Sequence, residues 1–348
     1  MKTTYVSTQA MANATRRSIL HMQSELTTLQ KEVSTGRVAD VGLALGARAG
    51  RTVTLRQESA SLQAFMDANA SASTRLSTTQ AALATVASGG QSFLQMLIDA
   101  TDSVTSAAVT QQRARESLAS FIDTLNSAQN GEYVFAGINS DAKPISDYSD
   151  PASLARQAVA DAFMTRFGFA QGSPAVAGIS ASDMQDFLDT DFAALFDEPA
   201  WSTNWSSASD QPVSSRVSAT QTVTTGATAN DPAIKKLAMA YTMVSDLGLA
   251  GLSNEAYRAV VAKATDVIGG AIAGVTSAQA QLGYSEQAVA DANSRMSVQK
   301  DVLEIHIGSL EGIDPYEATV RINNLLTQIE TSYALTARIQ QLSLLDFL

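Results

Sequence analysis

The sequence predicts a mainly α chain: an elongated antiparallel helical bundle or coiled coil built from its amino- and carboxy-terminal regions, with an inserted α+β or β-containing domain at the tip. Three observations carry this. Every seventh residue from Val261 is apolar (Ile268, Val275, Leu282, Val289, Met296, Leu303, Leu310), with Ala264, Ala271, Ala278 and Ala292 at companion positions. Such a run in one of seven registers arises by chance only about once in eighty sequences of this composition, so it reads as a helix seam. At 1.5 Å per residue the seam is about 75 Å long and needs an equally long partner. The partner is the second observation: Leu55, Leu62, Leu76, Leu83 and Leu97 share one register, with Phe65, Ala72, Val86 and Phe93 at the alternate spacing. Asn69 and Gly90 fill its two remaining core positions, and a polar core residue of this kind fixes register. The third is the loss of heptads between residues 138 and 230, where Pro144, Pro151, Pro174, Pro199 and Pro212 interrupt any long helix.

Taken in order, Tyr5, Ala12, Ile19, Met22, Leu26, Leu29 and Val33 give an amphipathic first helix that stops near Ser34-Thr35-Gly36. Val41 to Gly46, an apolar run spaced by glycine, reads as an extended or looped connection to the first seam, which starts near Arg51. Ser88-Gly89-Gly90 weakens that helix without ending it. A shorter helix from about Gln111 to Gln129 ends at Asn130-Gly131, with glycine as the left-handed cap, and Tyr133-Val134-Phe135-Ala136 is a strand of a small hairpin closed by Gly137. Within the insert, Ser153 to Phe167 and Ser182 to Phe196 are helical, whereas Val213 to Val217 and Thr222 to Thr224 are strands. Helices resume at Asp231-Pro232. Ser253 caps the long seam, and Gly312-Ile313-Asp314-Pro315 separates it from a last helix. That helix bears one stripe of Ile322, Leu325, Leu326, Ile329 and Tyr333 and another of Leu335, Ile339, Leu342 and Leu345. The domains expected are therefore residues 1–36 and 311–348 as assembly helices, 37–137 and 231–310 as a helical rod with its hairpin, and 138–230 as an insert dispensable for the rod.

Composition narrows function. The 348 residues contain no cysteine, which excludes disulfides, thiolate metal sites and cysteine nucleophiles. His21 and His306, the only histidines, sit in helical patterns at opposite ends and read as surface or packing residues rather than ligands. A net charge of −11 argues against nucleic acid as a partner. The charge is uneven: residues 1–60 carry eight basic and four acidic side chains, residues 138–212 three basic and eleven acidic. Asp183, Asp186, Asp189 and Asp191 flank the apolar positions Met184, Phe187, Leu188 and Phe192, so they read as the solvated face of a helix rather than a metal or acid–base site. Trp201 and Trp205 read as packing. No uninterrupted apolar run of about 18 residues marks a membrane span. The amino terminus lacks a signal-peptide pattern, which by itself reads as cytoplasmic unless export uses an uncleaved signal. No Gly-x-x-x-x-Gly-Lys or His-Glu-x-x-His motif is present, and neither catalytic residues nor a cofactor is expected.

Three local runs carry a resemblance: Ser34-Thr35-Gly36-Arg37-Val38, Asn130-Gly131-Glu132-Tyr133-Val134-Phe135-Ala136-Gly137, and Leu342-Ser343-Leu344-Leu345. With the paired seams and the central insert, they resemble the flagellin superfamily. The second run is similar to N-G-x-Y-x-F-A-G of its hook-associated, junction-forming branch. The resemblance implies a structural subunit joining hook to filament, located at that junction and exported without signal cleavage. It implies as partners further copies of the chain in a ring or helical layer, a neighbouring hook-associated protein, flagellin, and an export chaperone on the last helix. The assembly interface is then expected on Ile19, Met22, Leu26, Leu29, Val33, Ile322, Leu325, Ile329, Tyr333, Leu335, Ile339, Leu342 and Leu345, with both terminal helices mobile until neighbours bury them. Where relatives continue into Pro-Ser-Asp-Asp, Ala39 to Gly46 is apolar and glycine-rich apart from Asp40. A filament flagellin, or a coiled-coil signalling or adaptor rod, is the alternative; an enzyme housed in the insert is a third.

Overall fold

The computed structural model describes residues 8–102 and 107–345. Its helices are α1 (Thr8–Thr35), α2 (Val41–Leu45), α3 (Ala49–Asp102), α4 (Ala107–Leu125), α5 (Leu154–Phe167), α6 (Ala181–Phe187), α7 (Ala200–Asn204), α8 (Pro232–Asp246), α9 (Asn254–Glu311) and α10 (Pro315–Leu345). Two hairpins, β1 (Ala128–Gln129) with β2 (Glu132–Tyr133) and β3 (Ser214–Arg216) with β4 (Thr222–Thr224), are antiparallel. The chain divides into two compact units, residues 1–64 with 295–348 and residues 65–294. The division cuts across α3 and α9, not at Gly137 and Asn230, because the middle segment shares its core with the helices around it.

In residues 65–294 the two seams pair as their registers require. Leu76, Leu83 and Leu97 on α3 and Val261, Ile268, Val275, Leu282 and Val289 on α9 are all buried. Partners run in opposite senses: Asn69 Nδ2 donates to Asn293 Oδ1 at 2.7 Å, and Gln80 Nε2 to the Gln279 carbonyl at 2.7 Å. Asn69 also donates to the Val217 carbonyl at 3.0 Å, so the polar core position ties the β3–β4 region to the seam as well as fixing register. By length and composition α3 and α9 could each cross a membrane. In this fold their seam residues face protein, whereas Val53, Ile98, Tyr284, Val298 and Ile305 are exposed. The glycine pair does more than weaken α3. A Cβ at Gly90 would stand 3.1 Å from Ile272 Cγ1, so the missing side chain is what lets α9 approach. Gly274 plays the same part toward α8, where a Cβ would lie 2.7 Å from that of Ala233.

Helix α8 is where the middle segment meets the rod. Ile234, Leu237, Tyr241, Met243 and Val244 are buried around nearly its whole circumference, which requires cover on every side. From α3 and α4, Phe93 and Phe121 pack on Tyr241 at ring distances of 4.7 and 5.3 Å. From the other side comes an aromatic chain running through Phe163, Phe187, Phe192, Phe196, Trp201 and Trp205, every one buried. Trp205 stacks on Trp201 at 5.4 Å and on Tyr148 at 5.1 Å. The Tyr148 hydroxyl donates to Asp246 on α8 at 2.8 Å, and Trp201 Nε1 donates to Asn230 at 2.8 Å. The middle segment, expected from the sequence to be a dispensable insert, thus packs directly on α8.

Two local readings change as well. Asn130 and Gly131 have φ of 54° and 88°, the two left-handed residues of a type I′ turn, so they close the β1–β2 hairpin instead of capping α4, which has already ended at Leu125. The run from Val41 is a short helix, not an extended link, because Asp40 caps it by accepting from Leu43 N at 2.9 Å. The acidic face is solvated as read. Met184, Phe187, Leu188 and Phe192 are buried, Asp186, Asp189 and Asp191 turn outward to Arg166 and Lys263, and Asp183 accepts from Ser180. Among the described residues no group of three His, Asp or Glu side chains gathers as metal ligands.

Asp246 supplies a test of this core. Burial raises its pKa above the ordinary 3.8, against the opposing pull of the Tyr148 hydrogen bond and of Arg156 and Arg115. A carboxyl with a raised folded-state pKa binds its proton more tightly folded than unfolded. Its contribution is therefore present below 3.8 and is lost as pH rises toward the raised value. Asp246→Asn, which keeps an acceptor for Tyr148, is expected to flatten the decline of melting temperature over that acid range and to leave stability at neutral pH equal or higher. A large loss of stability at neutral pH would show that the arginine pairing outweighs burial.

Candidate assembly interface

The terminal helices meet where the chain twice makes a sharp turn. Helix α1 ends at Gly36, φ 69°, whose N–H donates to the Glu32 carbonyl at 2.8 Å. The next residues pair with the end of α9: Val38 N donates to the Glu311 carbonyl at 2.8 Å and Ile313 N to the Gly36 carbonyl at 3.2 Å, around a bridge between Arg37 and Gly312. Glu32 Oε1 accepts from Ala39 N at 2.9 Å. Glu311, fully buried, pairs through Oε2 with Arg56 of α3 and lies 3.9 Å from Arg37. Lys300 donates to Gln63 at 2.8 Å, continuing the antiparallel α3–α9 pairing within this unit. Asp314 accepts from Tyr316 N at 2.8 Å and caps α10, with Pro315 in its first turn.

This junction holds α1 antiparallel to α10. Ile19, Met22, Leu29, Leu325 and Ile329 form one buried cluster, with Leu26 and Ile322 packed against its edge. Gln23 Nε2 donates to the Tyr333 hydroxyl at 3.0 Å across the pair. Seven of the expected interface residues therefore cover one another inside the chain. Where the sequence suggests ends without partners in the single chain, the two stripes cover each other. Val33, Tyr333 and Leu335 stay exposed. Ile339, Leu342 and Leu345 belong to α10, but their side chains lie outside the described residues, as does Tyr5. Periodicity missed Leu20 and Val320, which are exposed on the same helix pair, and Leu326, read as part of the first stripe, is exposed as well.

Replacing Arg56 with methionine is expected to destabilise this junction by about 2 kcal/mol. It leaves a buried carboxylate with only the more distant Arg37, and the half-exposed position of the arginine moderates the full cost of a broken buried pair. Hydrogen exchange at the Val38 and Ile313 amides should accelerate, while exchange in residues 65–294 stays unchanged.

The two termini thus fold onto each other in a helix pair that still presents Val33, Tyr333 and Leu335. The bacterial flagellin N-terminal helical region matches residues 6–140 and the bacterial flagellin C-terminal helical region matches residues 265–348, together well over half of the sequence. The chain belongs to the bacterial flagellin family. Like its family it is a structural, non-enzymatic component of the flagellum that polymerises in flagellar assembly. No curated protein matches it in a sequence search. Among solved structures, it is similar to a chain assigned as a candidate flagellar hook-associated protein of Vibrio parahaemolyticus. The TM-score is 0.52 at 12% identity, over 76% of this chain and 97% of that one, a likeness of fold.

Proposed function

We propose that this chain is the junction subunit between hook and filament, of the hook-associated protein 3 type. The observation that carries this reading is the β1–β2 hairpin. Its Asn130-Gly131 turn supplies the two left-handed residues, Phe135 and Ala136 follow it into the core, and Ala136 bridges Thr228, so the N-G-x-Y-x-F-A-G run is a built element of the fold. The likeness to a hook-associated chain supports the same assignment. In this reading further copies form a ring or helical layer, a second hook-associated protein and flagellin are the neighbours on either side, an export chaperone engages α10 before assembly, and no signal peptide is cleaved. The thirteen interface positions divide. Ile19, Met22, Leu29, Leu325 and Ile329, with Leu26 and Ile322, shape the α1–α10 pair, while Val33, Tyr333 and Leu335 face the neighbours, with Ile339, Leu342 and Leu345 further along α10.

Labelling the chain in isolated flagella is the test. A signal confined to a short zone between hook and filament is expected, and cells lacking the chain should keep hooks and shed flagellin. Label along the whole filament would make it a filament flagellin instead.

A further inference from the structure

A cleft of about 270 Å³ opens between α4, α5 and the end of α8, and no role described above uses it. One wall is apolar, formed by Leu118 and Ile122 with Ala119 at its edge; the other carries Asp147, Tyr148 and Asp246. Leu118, Ile122 and Tyr148 are buried and Asp246 is half-buried, whereas Arg115 and Arg156 are exposed and stand at the mouth. Four charged groups therefore line one small space without pairing off. Arg115 and Arg156 both act on the Asp246 carboxylate, yet neither forms an ion pair among the described residues. Arg115 uses only Nε, donating to the Ser245 carbonyl at 3.2 Å, so its two terminal nitrogens have no protein partner. Asp147 is already engaged, accepting from Ser149 N at 2.8 Å and Ser149 Oγ at 2.7 Å, with Lys143 nearby. Asp246 is only half engaged: Oδ2 accepts from the Tyr148 hydroxyl at 2.8 Å, and Oδ1 has no hydrogen bond. As the last residue of α8 it also lies where the helix end adds partial negative charge to its own.

We propose that this cleft binds a small zwitterion, an α-amino acid with an apolar side chain. Its carboxylate lies between Arg115 and Arg156, its ammonium on Asp246, and its side chain against Leu118 and Ile122. A bare anion would meet two carboxylates and a bare cation two guanidiniums, so only a guest carrying both charges is complemented at each end. Guanidinium offers paired donors that match a carboxylate, and an ammonium brings three donors, enough for the open Asp246 oxygen and the Tyr148 hydroxyl oxygen. The volume falls just under the roughly 300–1,000 Å³ of clefts that hold drug-sized ligands, which suits one amino acid rather than a peptide. Every residue invoked belongs to the unit of residues 65–294, so the site does not depend on where in the flagellum the chain resides.

L-Leucine is the probe, with isocaproate and isoamylamine as the same skeleton lacking the ammonium or the carboxylate. Ligand-observed NMR on the full-length chain should show saturable leucine binding with a dissociation constant on the order of 1 mM, at least about tenfold tighter than either half-molecule. Arg156→Met and Asp246→Asn should each weaken leucine binding at least about tenfold at an unlowered melting temperature. Arg156 is exposed, and Asp246→Asn is expected to keep stability at neutral pH, so lost binding would not be lost fold. Should either variant fail to fold, Ala119→Trp decides: this exposed position lets a bulky side chain fill the cleft from its edge, and binding should vanish. Isocaproate binding as tightly as leucine would make the cleft a plain anion site and overturn the proposal. Unchanged leucine affinity in any folded variant would overturn it too, as would no saturable binding of leucine, valine or alanine up to about 20 mM.

Discussion

Replacing residues 140–228 with a short glycine–serine linker is expected to abolish cooperative unfolding of residues 65–294. The deletion removes Tyr148, Phe163, Phe187, Phe192, Phe196, Trp201, Trp205 and Val217, all buried. It uncovers one side of α8 and strips Asp246, Lys235 and Asn230 of the partners that the middle segment supplies. Each large apolar side chain so affected accounts for roughly 1.5–3 kcal/mol, and the net stability of a domain is only about 5–15 kcal/mol, so the loss exceeds what the seam can absorb. Circular dichroism should show reduced helix content and a broad melt, with dye binding to exposed apolar surface. A sharp melt at unchanged helix content would restore the middle to the status of a separate insert.

The residues behind this reversal show where sequence reading stops. Leu76, Leu83, Val275 and Leu282 announce themselves because a seven-residue period is long, regular and tied to one geometry. Phe187, Phe196, Trp201 and Trp205 are legible as buried, but an aromatic residue outside any period does not say which surface receives it. Hence the burial of the middle segment could be read and its docking on α8 could not. The misread connections have a different origin. Asn-Gly serves equally as a helix stop and as a type I′ turn, and only the strand pairing of Ala128 with Tyr133 separates the two uses. Asp40 was an available signal: an aspartate before an apolar run is a helix cap, and the glycines at 42 and 46 masked it. At the candidate site, the stripes of α1 and α10 were plain. That they close on each other depends on the Glu311 junction, where Arg37, Arg56 and Glu311 are brought together from three distant stretches of sequence.

That closure shapes the second large effect. Removing residues 316–348 is expected to eliminate incorporation into flagella while leaving residues 65–294 folded. Without α10, the cluster of Ile19, Met22 and Leu29 loses Leu325 and Ile329, and α1 becomes a 28-residue helix with an uncovered apolar face. Such a helix is marginal alone, since ordering its backbone costs roughly 1–2 kcal/mol per residue and most helical stability comes from packing. Hydrogen exchange should therefore show protection through α1 in the full-length monomer and its loss in the truncated chain, with Val261 to Val289 slow in both. The substitutions Tyr333→Ala and Leu335→Ser separate pairing from assembly. Both positions are exposed on the helix pair, so together they should leave α1 protected yet reduce incorporation. If the truncated chain still entered flagella in normal amounts, the terminal pair would not be the assembly interface.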